Sequence, residues 1–267
     1  MNNLEKLMKV KCFVLDMDGT FYLDDHLLPG AKELLALFDE LDIPFLFLTN
    51  NSSRHKKQYA DKLAQLGISL SEDKIFTSGE ASALYLKIHA PDAKLFIAGT
   101  PSLKEEFRQH GLCIDQENPD YVVLGFDTTV NYEILWKLCN YVKAGLPYLA
   151  THPDINCPVE NGFMPDIGAL IAFVETSTGR RPDIIIGKPN LPIVEALSKR
   201  VNLPVNQLAM VGDRLYTDIA LGKHGMITFL VLSGETHTED LATSPFKPDY
   251  VLENMADLVE MLKKARK

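Results

Sequence analysis

In "KCFVLDMDGTFY", residues 11–22, the apolar run Cys12, Phe13, Val14 and Leu15 leads into Asp16, Met17, Asp18, Gly19 and Thr20. Four apolar residues ended by turn formers predict a short strand buried on both faces, the kind found in parallel sheets. Downstream, "PGAKELLALFDEL" sets Ala31, Leu34, Leu35, Phe38 and Leu41 at helical spacing behind Pro29, which predicts a helix starting near that proline. "IPFLFLTNN" is a second continuously apolar strand, so these three elements form a βαβ unit of right-handed crossover. A helix in "KKQYADKLAQLG" and a short strand in "KIFTSG" follow. Near the other end, strands are predicted in "PDIIIGK", "QLAMVGD", "ITFLVLSG" and "DYVL", separated by helical stretches that end in "MADLVEMLKK".

Between these two similar ends, from about Glu80 to about Pro182, lies a second alternating series: "AKLFIAG", "PSLKEEFRQHG", "DYVVLGFD", "NYEILWKLCNYVKAG", "PYLATHPD" and "GALIAFVETSTG". About a hundred residues is enough for a domain of its own. The expected fold is therefore α/β: a Rossmann-like parallel-sheet core from residues 1–79 and 183–267, with an α/β domain inserted at 80–182.

Composition narrows the class. The chain has 267 residues, 46% hydrophobic and 24% charged, close to globular averages, and no segment reaches the ~18 uninterrupted apolar residues of a membrane helix. The N-terminal "MNNLEKLMKV" has neither a signal-peptide apolar core nor a small-residue cleavage site, so a cytoplasmic location is expected. Cys12, Cys113, Cys139 and Cys157 form no CxxC pair, which argues against a zinc knuckle, a redox motif or a disulfide framework. A formal net charge of −9 disfavours a phosphate-backbone binder, because such proteins carry a basic face. The expected partner is a small phosphorylated molecule whose charge is neutralised locally, not a nucleic acid or a membrane.

Two carboxylates at the tip of a buried strand need a cation, a reaction or an exposed turn, because burying an unpaired charge costs several kcal/mol. Asp-Gly turn chemistry is the plain alternative. Asp16, Thr49, Lys188 and Asp213 each fall just past the carboxyl end of a predicted parallel strand, and in an open α/β sheet those ends face one crevice. Together they suit phosphoryl transfer: an anionic nucleophile, acids for a hard cation such as Mg²⁺, and a hydroxyl and an ammonium for phosphate oxygens. Taken singly, each has a simpler explanation. Thr49 to Ser53 could cap a helix, Lys188 could be a turn lysine, and Asp213 and Asp218 could be a loop acid and the cap of "IALGKHG". "GKP" is not a phosphate-cradling P-loop, since Pro182 stands at the first required glycine and no Ser or Thr follows Lys188. Their joint occurrence at strand ends favours a site. His224, His152 and His237 lack HxxxH spacing and read as surface or packing residues.

"DMDGT", "LTNNS", "GKP" and "VGDRLYTD", in that order, resemble the four motifs of the haloacid dehalogenase superfamily of phosphohydrolases. The intervening "ATHPD", "GALIAF" and "TGRRPDIIIGKP" resemble the NagD-like, p-nitrophenylphosphatase branch with its α/β cap, and the similarity spans essentially the whole chain. The resemblance implies that Asp16 is the nucleophile that becomes a phosphoaspartate, and that Asp18 protonates the leaving group and then activates water. It implies that Mg²⁺ is held by the Asp16 carboxylate, the Asp18 carbonyl and Asp213, with Asp218 as a further ligand or support. Thr49 and Lys188 would hold phosphoryl oxygens, with Asn50 donating nearby. The Asp16–Asp18 spacing suits these roles, because residues two apart in an extended segment share a face. An aspartate is ionised at neutral pH and needs no activating base.

The chain departs from the branch at His152, where asparagine is usual, and at Asp166, where glycine is usual. The resemblance places both where substrate is sensed; Phe163 and Met164 beside Gly162 line a pocket or simply pack. The implied activity is hydrolysis of small phosphomonoesters of the sugar phosphate or nucleotide class, and a homodimer through the cap is an assembly the resemblance allows. The alternatives are a phosphotransferase or mutase, in which Asp18 activates an alcohol, a receiver-like phospho-signalling domain, and a silent phosphate-binding module. An acceptor within DxDGT and a hundred-residue insertion disfavour the receiver, and retention of Asp16, Asp18 and Lys188 disfavours the silent module. Dehalogenation needs neither Asp18 nor the metal ligands.

Overall fold

A computed structural model describes residues 3–159 and 162–265. The chain divides into two compact units, one comprising residues 1–48, 60–75 and 197–267, the other 49–59 and 76–196. The chain passes between them inside two strands and two helices, after Leu48, Tyr59, Ile75 and Ala196.

The larger sheet has six strands, in the order Tyr250–Leu252, Ile227–Val231, Leu208–Gly212, Cys12–Leu15, Phe45–Thr49 and Ile75–Thr77. The first strand lies in its middle, parallel to Leu208–Gly212 on one side and to Phe45–Thr49 on the other. Every residue of Cys12–Leu15 is buried, as its unbroken apolar run requires. Phe13 stacks on Phe38 with ring centroids 5.0 Å apart and tilts against Phe229 at 5.9 Å. Phe38 belongs to the helix Ala31–Glu40, whose buried face is Ala31, Leu34, Leu35, Leu37 and Phe38. This helix begins directly behind Gly30, near Pro29 as expected, and Leu41, expected on its apolar face, is its C-terminal cap.

The second unit contains a five-stranded sheet ordered Ile184–Ile185, Tyr148–Ala150, Tyr121–Leu124, Lys94–Ala98 and Cys113–Ile114, parallel throughout. Its core gathers Phe96, Val122, Leu124, Leu138, Val142, Tyr148, Ile171 and Val174. The helix Tyr132–Lys143 is capped by the Asn131 side chain, which accepts from Ile134 N–H at 3.0 Å. The helix Ile167–Thr178 is capped by Asp166. This unit thus holds the segment expected as an insertion, together with residues 49–59, 76–79 and 183–196.

One strand lies elsewhere than expected. The sequence places "DIIIG" in the sheet that carries Asp16, but Ile184 and Ile185 pair with Leu149 and Ala150 in the five-stranded sheet. An apolar run specifies burial in a parallel sheet without specifying which sheet. "IALGKHG" forms a 3-10 helix, Ile219–His224, and Asp218 makes no side-chain capping bond to it. Elements not expected from the sequence include the N-terminal helix Asn3–Lys9, the helix Ser78–His89, the short strands Tyr22–Leu23, His26–Leu27 and Cys113–Ile114, the helix Asp240–Thr243 and the antiparallel pair Asn156–Val159 with Gly162–Pro165.

Candidate active site

In the first unit, Asp16 sits at the end of the central strand, its N–H donating to Val211 O at 2.9 Å. The chain then turns at once: Gly19 N–H donates to Tyr22 O at 2.8 Å, and Phe21 N–H to Met17 O at 2.9 Å. Gly19 has φ 81°, and a Cβ there would fall 2.5 Å from Asp213 Oδ2. Only glycine gives both the left-handed backbone and the close approach of that carboxylate. Asp213 and Asp218 follow the neighbouring parallel strand, Leu208–Gly212. Asp16, Asp213 and Asp218 can each offer an oxygen such that the three atoms lie within 4.8 Å of one another. No other such group of His, Cys, Asp or Glu occurs among the described residues.

This cluster is held from several sides. Asp213 Oδ1 accepts from Thr20 Oγ1 at 3.1 Å, and its Oδ2 accepts from Glu235 N–H at 2.7 Å. Asp218 Oδ2 accepts from Arg214 N–H at 3.1 Å, and Arg214 pairs with Glu235 at 2.9 Å. Burial, then the neighbouring charges of Asp16 and Asp218, push the Asp213 carboxyl up to about 7. Acids gathered this closely favour a hard cation among them, and all-carboxylate oxygen donors suit Mg²⁺.

Asp18 faces a different environment. Its side chain is 53% exposed, and Lys62 Nζ lies 3.9 Å from its Oδ1. Tyr22 OH donates to Asp18 Oδ2 at 3.4 Å, and Lys62 Nζ also stands 3.9 Å from the Tyr22 ring centroid. The Asp18 pKa is raised, first by desolvation, with Lys62 opposing and Asp16 assisting. With half of the side chain open to water, solvent screens part of that push. The direction still favours a carboxyl that retains its proton more readily than free aspartate, which suits a general acid.

Within the second unit, the buried Thr49 accepts from Asn51 N–H at 3.1 Å. Asn50 grips the backbone of Lys188 at both ends: its Oδ1 accepts from Lys188 N–H at 2.8 Å, and its Nδ2 donates to Lys188 O at 3.0 Å. The same Nδ2 donates to Asp154 Oδ1 at 2.9 Å. Asn50, expected to donate near a phosphate, thus has its amide engaged with protein groups. Gly187 permits this packing, since a Cβ there would lie 2.6 Å from Asn50 Oδ1. Lys188 is 3% exposed. "LTNNS" is no ordinary helix cap, because its serine is spent elsewhere: Ser52 Oγ lies 2.8 Å from Thr151 Oγ1 and accepts from Phe126 N–H at 3.0 Å. His152 and Asp166, expected to sense substrate, are both buried and face each other, His152 Nε2 to Asp166 Oδ1 at 3.0 Å. Phe163 and Met164 are exposed.

A haloacid dehalogenase-like hydrolase family model matches residues 13–113, and a second HAD-hydrolase-like model matches 185–258. The chain is 33% identical over 250 residues to the 5′-nucleotidase YutF of Bacillus subtilis, covering 93% of this chain and 97% of that protein. It is also 33% identical over 260 residues to an acid sugar phosphatase of Staphylococcus aureus, covering 97% and 100%. The chain belongs to the haloacid dehalogenase-like hydrolases. Among solved structures, a 4-nitrophenylphosphatase from Thermotoga maritima superposes with a TM-score of 0.93 at 47% identity, covering 97% of this chain and 99% of that one. NagD from E. coli superposes with a TM-score of 0.86 at 31% identity, covering 93% and 98%. This hydrolase falls in the NagD-like, p-nitrophenylphosphatase branch and is a phosphoric monoester hydrolase.

Several side chains around the carboxylates of this hydrolase carry little signal in the sequence. Lys62 lies within the amphipathic helix Lys56–Gln65, where a lysine reads as a solvated face. Thr20 was adjacent to the motif, and Arg214 and Glu235 were ordinary loop charges in sequence. Only "DGT" and "GDR", with polar residues directly beside the acids, could have singled out Thr20 and Arg214. Among the described residues, no helix is long and apolar enough to cross a membrane.

Proposed function

We propose that this chain is a Mg²⁺-dependent phosphatase for small phosphomonoesters, of the sugar phosphate or nucleotide class, working through a phosphoaspartate on Asp16. The observation that carries this reading is the convergence of Asp16, Asp213 and Asp218 within 4.8 Å beside an Asp18 whose pKa is raised. Asp16, Asp213 and Asp218 would hold the ion with the Asp18 carbonyl; when bound, Mg²⁺ supplies the positive charge that lets an anionic nucleophile approach a phosphate dianion.

The Asp16 carboxylate attacks phosphorus, and the bond to the ester oxygen breaks as the Asp16–phosphorus bond forms. Asp18 gives its proton to the departing alkoxide, then takes one from water as that water attacks the phosphoaspartate, releasing phosphate and restoring Asp16. Thr49 and Lys188 offer a hydroxyl and an ammonium for phosphoryl oxygens, and Asn50 fixes the Lys188 backbone. The segment 80–182 is proposed as the cap that selects the substrate. The free cysteines fit a reducing cytoplasm. The relatives named 5′-nucleotidase and acid sugar phosphatase support the proposed substrate classes.

A phosphate-release screen of the purified protein across sugar phosphates, nucleotides and an aryl phosphate, with Mg²⁺ and with EDTA, tests the reading. Release that stops in EDTA and returns with added Mg²⁺ is expected. Turnover indifferent to EDTA would remove the metal assignment.

A further inference from the structure

In the second unit, "ATHPD" runs from the end of the strand Tyr148–Ala150 into a loop, and its last residue, Asp154, has no part in the proposed chemistry. Two backbone hydrogen bonds press this loop onto the start of the helix Ile167–Thr178. Gly168 N–H donates to Asp154 O at 2.7 Å, and Asp166 N–H donates to Ile155 O at 2.9 Å. Gly168 permits the contact, since a Cβ there would lie 2.6 Å from Pro153 O and 2.9 Å from Asp154 O. The inserted segment thus fixes the main chain that carries the Asp154 carboxylate, and Asp154 Oδ1 accepts from Asn50 Nδ2 at 2.9 Å.

A carboxamide offers two N–H groups and one oxygen, and those of Asn50 are all engaged. Nδ2 donates to Asp154 Oδ1 and to Lys188 O, the latter at 3.0 Å, while Oδ1 accepts from Lys188 N–H at 2.8 Å. The reverse orientation is excluded, because it would set Nδ2 against Lys188 N–H and Oδ1 against Lys188 O. Asn50 and Lys188 therefore hold each other, and Asp154 ties the pair to a loop anchored on a helix. The neighbouring backbone is closely packed: a Cβ at Gly187 would lie 2.6 Å from Asn50 Oδ1 and 2.9 Å from Thr151 O. A shift of the Asn50 side chain must accordingly move the backbone at Gly187 and Lys188.

We propose that Asp154 is a positioning residue for phosphate binding: it anchors the Asn50 carboxamide, which sets the backbone from which the Lys188 side chain extends. This role rests on the reading that Lys188 holds phosphoryl oxygens. What Asp154 supplies is an acceptor at a fixed place, so a neutral side chain with an oxygen there can substitute for it. The inserted segment then does more than select substrates. Through Asp154 it also holds the group that binds the phosphoryl part common to all of them, so loss of Asp154 acts on every phosphate ester and on inorganic phosphate by a similar factor. A residue that senses the rest of the substrate would act unequally.

The test uses the full chain, with inorganic phosphate as inhibitor and aryl and sugar phosphates as substrates. Asp154→Ala should weaken phosphate inhibition about tenfold, the effect of losing one hydrogen bond to a charged acceptor, and lower kcat/KM for each substrate by a similar factor. Asp154→Asn keeps an acceptor for Asn50 Nδ2 and should restore inhibition to within about threefold of wild type. In Asn50→Ala the anchor has nothing to hold, so adding Asp154→Ala should cost less than about twofold more. An Asp154→Asn as impaired as Asp154→Ala would overturn the proposal, since it would assign the effect to charge; losses that multiply in the double variant, or that differ widely between substrates, would also overturn it. The wild type gives an independent reading. Its Asn50 side-chain amide protons, assigned through bonds by NMR, should exchange with solvent at least about tenfold more slowly than those of exposed asparagines, and equal exchange overturns the proposal whether or not any variant folds. Lys188→Ala separates this from the underlying reading. Undiminished phosphate inhibition there would refute the Lys188 role itself, whereas a loss there with none in Asp154→Ala would refute the positioning alone.

Discussion

Glu106 is a buried carboxyl that the proposed chemistry does not use, and it provides a test of the electrostatic reasoning. Its two oxygens lie 3.3 and 3.2 Å from Thr77 Oγ1, which donates to them. Glu80, buried beside it, donates its N–H to the helix-capping Thr77 Oγ1 at 2.9 Å and lies 3.7 Å from Lys56 Nζ. Desolvation, then the charge of Glu80, push the Glu106 pKa from 4.5 up to about 8. A folded-state pKa above the unfolded one means that stability is fully present below pH 4.5 and is lost as pH rises toward 8. At ~1.36 kcal/mol per unit, ionisation of the unfolded state alone removes roughly 3 kcal/mol by pH 7. Glu106→Gln abolishes this loss while keeping the shape and an acceptor for Thr77. The new amide must itself be satisfied, which costs about 1–2 kcal/mol of the gain. The variant should therefore be more stable than wild type by about 1–2 kcal/mol at pH 7, a few degrees in Tm, with the advantage reversing to about the cost of the amide near pH 4.5. Denaturant unfolding of both proteins at several pH values between 4.5 and 8 measures the difference. A stability difference that does not change with pH would refute the reasoning, since it would show Glu106 ionised in the folded protein.

Other consequences concern the carboxylate cluster. Asp213→Asn should raise the Mg²⁺ concentration needed for half-maximal rate at least tenfold or abolish turnover, read from a Mg²⁺ titration; an unchanged titration would remove Asp213 as a ligand. Gly19→Ala forces a Cβ to 2.5 Å from Asp213 Oδ2 on a backbone at φ 81°, so it should destabilise by about 1–3 kcal/mol and lower kcat more than a distant surface variant of equal stability. Lys62→Met removes the cation that lowers the Asp18 pKa. Asp18 should then keep its proton to higher pH, moving the alkaline limb of the kcat/KM profile for a sugar phosphate upward, and a limb that stays put or moves down would contradict this.

The fold was legible where local pattern and partner agree. "CFVL" gave its burial and "IPFLFLT" its neighbour in the sheet, because a continuous apolar run between turn formers admits few other environments. The helix Ala31–Glu40 followed from spacing, though its end did not, since Leu41 is apolar and still lies at the cap. "DIIIG" was legible as a strand but not in its sheet, because pairing partners 35 residues apart, as in Ile184 with Leu149, leave no local trace. The paired strands Asn156–Val159 and Gly162–Pro165, the second exposed along its length, contain Pro158 and Pro165 and lack the alternation that marks a half-buried ribbon.

In the candidate site, Asp16, Asp18 and Asp213 stand out in the sequence because acids at the ends of apolar strands conflict with their surroundings unless they serve chemistry, whereas Asp218 enters only through the resemblance. Lys62 was not legible, since a lysine on a helix shows its partner only after folding. The resemblance places His152 and Asp166 at a substrate-sensing position, and in the structure both are buried and face each other. A histidine in a loop gives no sign in sequence that a carboxylate 14 residues away will meet it.

The central claim is that Asp16 attacks and Asp18 handles protons, and rapid-quench analysis with peptide mapping tests it most directly. Asp16→Asn should form no phosphoenzyme, because an amide is a far poorer nucleophile than a carboxylate. Asp18→Asn should still be attacked on p-nitrophenyl phosphate, whose leaving group departs without a proton, while losing roughly 10²–10⁴-fold on sugar phosphates. Lacking the base for hydrolysis, it should accumulate phosphate on Asp16, seen as a burst of p-nitrophenol of at most one equivalent. Phosphate mapped to any other residue, or a burst from Asp16→Asn as large as that from Asp18→Asn, would contradict the account.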